Sequence, residues 1–167
     1  CIECRLDLPF IDNGDSTSNL LTQTLEGRVL LEKGASFLYY HPVGKVKKLI
    51  HQLKYKNNES VGVFLGEWFG QKLLETGKFS EIDYIIPVPL HEKKLRQRGY
   101  NQLTKFGESL STILNIEYLE DVLIRSSATK TQTFKNRVER FKNLMTNFSI
   151  TDTILLKNKH VLLIDDV

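Results

Sequence analysis

The sequence predicts an α/β fold in which a parallel sheet is covered by helices on both faces. Three observations carry that expectation. The runs 84-YIIPVPL-90 and 161-VLLI-164 are continuously apolar, as strands buried on both sides are. Before and between them lie segments whose apolar residues recur every three or four positions, the period of an amphipathic helix. Strands and helices also alternate along the chain, the order that gives a parallel sheet. A length of 167 residues suits one main core, and with 41% hydrophobic and 26% charged residues the chain carries enough apolar surface to offset its conformational entropy. Wholesale disorder is excluded on that ground. No apolar run approaches the roughly 20 residues of a membrane helix, and no basic start leads into an apolar stretch of the secretory kind. A soluble, cytoplasmic protein without membrane insertion is expected.

Taken in order, residues 1–34 hold Cys1, Cys4 and the turn-rich 13-NGDSTSN-19, and read as a small appendage and linker before a main domain over 35–167. The aromatic segment 35-ASFLYYH-41 predicts a strand. In 45-KVKKLIHQLKY-55, Val46, Leu49, Ile50 and Leu53 fall on one helical face with lysines opposite. Val61, Phe64, Leu65, Trp68 and Phe69 do the same over 59–76, which makes Trp68 a core residue. The strand over 82–90 ends at Pro87 and Pro89, because proline has no amide for a central ladder. A basic loop, 91-HEKKLRQRG-99, follows it. A helix is predicted over about 100–114 from Tyr100, Leu103, Phe106, Leu110 and Ile113. Residues 118–125 read as extended, 126–133 as loop, 136–145 as a short helix, and 160–167 as a strand closed by two acids.

Charge position is more informative than the net +3. Sixteen of the 23 basic residues lie in 45–56, 91–105 and 125–142, which contain only Glu92 and Glu139 as acids. Brought together by folding, these segments would form a positive surface suited to phosphates; left apart, they are solvated loops. Asp165 and Asp166 close an apolar strand and so fall at the carboxyl edge of a parallel sheet, where ligands bind. Neighbouring carboxylates repel each other and call for hydroxyls or a cation, although acids that meet water or cap a helix are the simpler alternative. If Pro89 ends its strand at the same edge, Lys93, Lys94, Arg96 and Arg98 hang over the crevice beside the acids. The next helix, starting near Gly99, would turn its unpaired amides towards a bound phosphate. An acidic site for hydroxyls next to a cationic site for phosphates describes a sugar-phosphate pocket. His41, His51 and His160 read as structural, His91 lies near the basic loop, and Tyr100 is divided between packing and stacking.

The segments 49-LIHQLKYK-56, 85-IIPVPLHEKKLRQRGYNQL-103, 139-ERFKNLMTNF-148 and 161-VLLIDDV-167 together resemble the ComF family of competence-associated proteins, within the type I phosphoribosyltransferase-like group. The resemblance covers most of the chain, and its long middle segment is the most specific part. It implies a type I phosphoribosyltransferase sheet and assigns Asp165 and Asp166 to the ribose hydroxyls of phosphoribosyl pyrophosphate. Leu90, His91 and Glu92 would approach the pyrophosphate, with Lys93, Lys94, Arg96 and Arg98 as its charge partners. Arg125, Lys130, Gln132, Lys135, Arg137 and Arg140 would belong to a mobile hood that closes over the substrate and excludes water. Were the protein an enzyme, a nitrogen nucleophile would displace pyrophosphate from the anomeric carbon, with Mg2+ on the leaving group.

The same resemblance makes 1-CIEC-4, ahead of Leu8-Pro9, the last cysteine pair of an N-terminal zinc ribbon. Two thiolates are half of a closed zinc site, so Cys1 and Cys4 would need a further pair for Zn2+; a redox Cys-x-x-Cys is the competing reading. The family pattern continues after the acids with a Thr- and Gly-rich phosphate loop, and this chain stops at Val167, so a fragment lacking its C-terminal part is expected. The alternative function is non-catalytic. As a competence factor, the protein would bind single-stranded DNA along a basic groove with Tyr39, Tyr40, Tyr55 and Tyr100, among other DNA-uptake proteins.

Overall fold

The computed structural model describes residues 5–11, 17–125 and 148–166. Its elements are α1 (Leu20–Leu25), α2 (Lys45–Tyr55), α3 (Glu59–Thr76), β1 (Tyr84–Pro87), α4 (Glu92–Arg98), α5 (Thr104–Leu114), β2 (Glu117–Tyr118), β3 (Leu123–Arg125), β4 (Phe148–Ile150) and β5 (Val161–Ile164). Strands β2, β1 and β5 form a parallel sheet in that order, while β3 and β4 make a separate antiparallel pair. An α/β fold with a parallel sheet is therefore present.

The central strand, β1, is the most deeply buried, with Ile85 at 0% exposure. Tyr84 to Pro87 run in register with Val161 to Ile164. Pro87 contributes no amide, and the ladder closes with the Val88 N–H donating to the Ile164 carbonyl at 2.9 Å. Leu110 of α5, with Leu103 just before it, packs against Ile85 and Ile164 in one apolar cluster. Behind α5 lies α3, and the two approach closely because Gly62, Gly66 and Gly70 recur every four residues on the facing side. A Cβ at Gly66 would stand 2.5 Å from the Phe106 carbonyl oxygen and 2.8 Å from Ser109 Cβ. These helices cover one face of the sheet. Among the described residues, Val161 and Leu163 are exposed, Leu163 at 56%, so β5 shows uncovered apolar side chains where the sequence predicts a fully covered strand.

A second cluster joins α2 to α3 through Val46, Leu49, Ile50 and Trp68. Trp68 is core, as its place in the apolar pattern predicts, and meets Phe10 and Phe37 edge-on at 4.3 and 5.4 Å. This cluster explains why 35–41 is not a strand. Phe37 and Leu38 turn their apolar bulk onto Trp68 and its neighbours, and among the described residues the backbone pairs with Pro9 to Ile11 through a single bridge between Phe10 and Leu38.

Three further segments differ from the sequence reading. The basic stretch after β1 is the helix α4 rather than a loop: His91 caps it by accepting the Lys93 N–H at its Nδ1, 3.1 Å away, and Gly99 ends it at φ 81°. Its charged sequence has no apolar period to betray it, only its caps. The following helix begins at Thr104, not near Gly99, because the Asn101 side chain accepts the Leu103 N–H and holds a turn there. Within 1–34, α1 forms under a capping box in which Asn19 and Thr22 satisfy each other's backbone amides. The helix expected over 136–145, and Cys1 and Cys4 of the expected zinc ribbon, lie outside the described residues.

Candidate functional site

Because β1 and β5 are parallel, the chain leaving each emerges at the same edge of the sheet. One exit carries Val88, Pro89 and Leu90, the other Asp165 and Asp166, and these line a single cleft of about 180 Å³. Lys94 and Arg98 reach it from α4, Gln102 from the turn before α5, Arg125 from the end of β3, and Lys54 from the last turn of α2. The cleft brings the two acids together with Lys94 and Arg98 of the basic segment and with Arg125, the first residue of the segment expected to form a hood.

Asp166 is the most tightly held member. Its Oδ2 lies 2.7 Å from Lys54 Nζ and accepts the Gln102 Nε2–H at 2.9 Å. Gln102, 5% exposed, in turn accepts from Arg98 at 2.7 Å through its Oε1. Acid, amide and guanidinium thus form one chain of hydrogen bonds that fixes the orientation of each. Asp165 uses one oxygen to accept the Asp166 N–H at 2.8 Å. Its side chain keeps water-accessible surface, yet the atoms crowding the cleft mouth desolvate the carboxylate and push its pKa up; the Asp166 N–H opposes the rise, the Asp166 charge adds to it and Lys54 opposes it.

The remaining residues of the basic segment are placed differently. His91 is the helix cap, with its Nδ1 turned to the Lys93 amide. Glu92 and Arg96 pair with each other at 3.6 Å on the exposed side of α4, and Lys93 is exposed. None of these four lines the cleft. Lys130, Gln132, Lys135, Arg137 and Arg140 fall outside the described residues, as do Cys1 and Cys4. Of the segment expected to form a hood Arg125 is described, its guanidinium 5.3 Å from the Phe148 ring across the β3–β4 pair. Tyr100 is a packing residue whose hydroxyl donates to the Leu53 carbonyl, whereas Tyr39, Tyr40 and Tyr55 are exposed. His160 serves through its backbone, which exchanges hydrogen bonds with Asp83.

Two lining residues are absent from the sequence reading. Lys54 sits beside buried Leu53 on α2, at the edge of the apolar face and not opposite it. Gln102 hides in the turn before α5. For Lys54 the sequence offers only its place as the last lysine of a lysine-rich helix, a place that solvated lysines share. For Gln102 there is no signal, since an amide in a turn is ordinarily solvated.

The fold and cleft define an α/β protein with a mixed acidic and cationic crevice at the carboxyl edge of its sheet. Among curated proteins, DNA utilization protein YhgH from Escherichia coli is 29% identical over 122 residues, which are 71% of this chain and 53% of that protein. The Shigella flexneri protein of the same name matches to the same extent. Competence protein F from Haemophilus influenzae is 28% identical over 134 residues, 76% of this chain and 57% of that one. The chain therefore spans about half the length of the curated relatives it matches. No family model and no solved structure matches. The chain is thus similar over about three quarters of its length to proteins named for DNA utilization and competence, in line with its resemblance to the ComF family. No helix among the described residues is long and apolar enough to cross a membrane.

Proposed function

We propose that the protein serves DNA utilization or uptake and that its working part is the cleft, which takes a phosphorylated pentose. The cellular half of this reading is drawn from the names of YhgH and Competence protein F. The chemical half is carried by one observation: Asp165 and Asp166 share a small cleft with Lys94, Arg98 and Arg125. Sugar hydroxyls need acceptors, and phosphates need donors and positive charge. A cleft of about 180 Å³ that offers both suits one sugar phosphate better than a run of nucleotides.

Phosphoribosyl pyrophosphate joins a ribose diol to a pyrophosphate and matches both halves. A type I phosphoribosyltransferase architecture accords with acids at the carboxyl edge of three parallel strands, the switch region where α/β proteins bind ligands. Mg2+ usually binds through one or two carboxylates plus substrate phosphates. Asp165 fits such a role, because its Oδ2 has no hydrogen bond among the described residues. No cluster of three or more acid, histidine or cysteine ligands occurs among those residues, so the ion would arrive on the pyrophosphate. When bound it would supply charge neutralisation on the leaving group; Arg98 and Lys94 would add donors to the same oxygens. Transfer of phosphoribosyl to a nitrogen acceptor is the reaction class such a complex permits.

A second reading has its own support. The terminal sugar phosphate of single-stranded DNA presents part of the same chemistry, and exposed Tyr39, Tyr40 and Tyr55 offer faces on which bases stack. Calorimetric titration separates the two. Phosphoribosyl pyrophosphate should bind with Mg2+ and lose binding on chelation. Binding of an oligonucleotide alone, with affinity falling steeply as salt rises, would reassign the cleft to DNA. Binding of neither withdraws the chemical half of the reading.

A further inference from the structure

We propose that Lys54 is the specificity residue of the cleft: it neutralises Asp166 while the site is empty and passes to an anionic group of the ligand when the site fills, so that phosphorylated sugars are accepted and neutral ones refused. The inference deepens the sugar-phosphate reading and rests on it. Lys54 and Asp166 are 2.7 Å apart, and their side chains retain only 19% and 11% exposure. A pair this enclosed has surrendered much of its hydration and depends on its partner for compensation. Any ligand hydroxyl that takes the Asp166 Oδ2 must therefore leave Lys54 partly desolvated and unpaired, unless the ligand also brings negative charge.

The alternative partners within reach do not fill that role. Lys54 lines the cleft with Lys94, Arg98 and Arg125, which are cations; Asp165, the one other acid lining it among the described residues, is itself placed for the ligand in the sugar-phosphate reading. Gln102 donates to the same Oδ2 and spends its oxygen on Arg98, so it holds Asp166 in place if Lys54 leaves but offers the lysine nothing. The cleft thus keeps its acid oriented and its lysine exchangeable. Lys54 is also held near the site independently of its own ion pair. The Tyr100 hydroxyl binds the carbonyl of Leu53, the preceding residue, and the Arg98 guanidinium lies 5.2 Å from the ring of Tyr55, the following one. The helix end stays at the cleft wall, and only the flexible lysine stem has to move.

This discrimination follows from charge balance. A neutral pentose breaks an enclosed ion pair without replacing it, while a pentose phosphate exchanges one anion for another. The test measures binding of phosphoribosyl pyrophosphate, ribose 5-phosphate and ribose by wild type and Lys54→Met. Wild type should bind both phosphorylated sugars and show no measurable ribose binding. Lys54→Met should weaken the phosphorylated ligands roughly ten- to hundredfold, the worth of one charge-assisted hydrogen bond, and should narrow the preference over ribose. Equal affinity of wild type and variant for phosphoribosyl pyrophosphate overturns the inference and leaves the reading intact; failure of wild type to bind any phosphorylated sugar removes both. Should Lys54→Met not fold, the lysine Nζ resonance of wild type serves instead. It should shift as ribose 5-phosphate saturates the site, and an unmoved resonance at saturation overturns the inference.

Discussion

The Lys54–Asp166 pair allows a quantitative test that needs no ligand. With both side chains less than a fifth exposed and 2.7 Å between them, the pair belongs with enclosed ion pairs and not with surface ones. Breaking a fully buried pair from one side costs about 3–5 kcal/mol. Here the cleft mouth admits water, and Gln102 remains on Asp166 after Lys54 is removed, so Lys54→Met should cost less, about 2 kcal/mol. For a chain of this size that is a fall in Tm of about 4–8 °C. Asp166→Asn keeps the shape and removes the charge, and the two changes together should cost clearly less than their sum. Urea unfolding of wild type, both single variants and the double variant gives the coupling, expected at about 1–2 kcal/mol. A coupling below about 0.3 kcal/mol, the range for independent sites, would show that the two groups do not share the cleft.

Other outcomes follow from the same geometry. Gly66→Ala puts a methyl group 2.5 Å from the Phe106 carbonyl oxygen; overpacking of about 1–3 kcal/mol outweighs the gain in helix propensity of about 1 kcal/mol, and urea unfolding should show a net loss. For Asp165, whose pKa is raised chiefly by desolvation, the folded state holds its proton more tightly than the unfolded one. Its contribution to stability is full at acid pH, below the unfolded pKa, and is lost as pH rises through the folded value. Asp165→Asn should therefore match wild type at low pH and become relatively more stable towards neutrality, as thermal melts across that range would reveal; a gap that opens in the acid direction refutes the assignment. Arg98→Ala should weaken phosphoribosyl pyrophosphate binding about tenfold or more, while Arg96→Ala, paired outward with Glu92, should leave it unchanged by calorimetry. Equal losses in the two would mean that the anion lies along α4 and not in the cleft.

The parallel sheet was legible in the sequence because β1 and β5 are short runs of little but aliphatic residues, even though β5 leaves Val161 and Leu163 exposed, and because proline and aspartate mark their ends. The amphipathic helices α2, α3 and α5 were legible because burial against a neighbour imposes a period. What could not be read was structure set by capping and not by burial. Helix α4 has no buried residue, and α1 depends on Asn19 and Thr22. Residues 35–41 misled in the opposite sense, since aromatic content recorded packing onto Trp68 and not strand pairing. Within the cleft, Asp165, Asp166 and Arg98 could be placed because each lies at an element end that topology brings to one edge. Lys54 and Gln102 could not, because their positions depend on how α2 and the Asn101 turn pack in three dimensions. Arg96 and Arg98 look equivalent in sequence, and only the helical phase of α4 separates them.

The proposed sugar-phosphate site requires that a single pentose phosphate touch both the carboxylate pair and the cations that share its cleft. Its most direct test is calorimetric titration of phosphoribosyl pyrophosphate, with Mg2+ present, into wild type and into the Asp165→Asn, Asp166→Asn double variant, each checked for an intact fold by circular dichroism. Wild type should bind one-to-one, and the folded double variant should show no binding. Undiminished binding by that variant would contradict the proposed site.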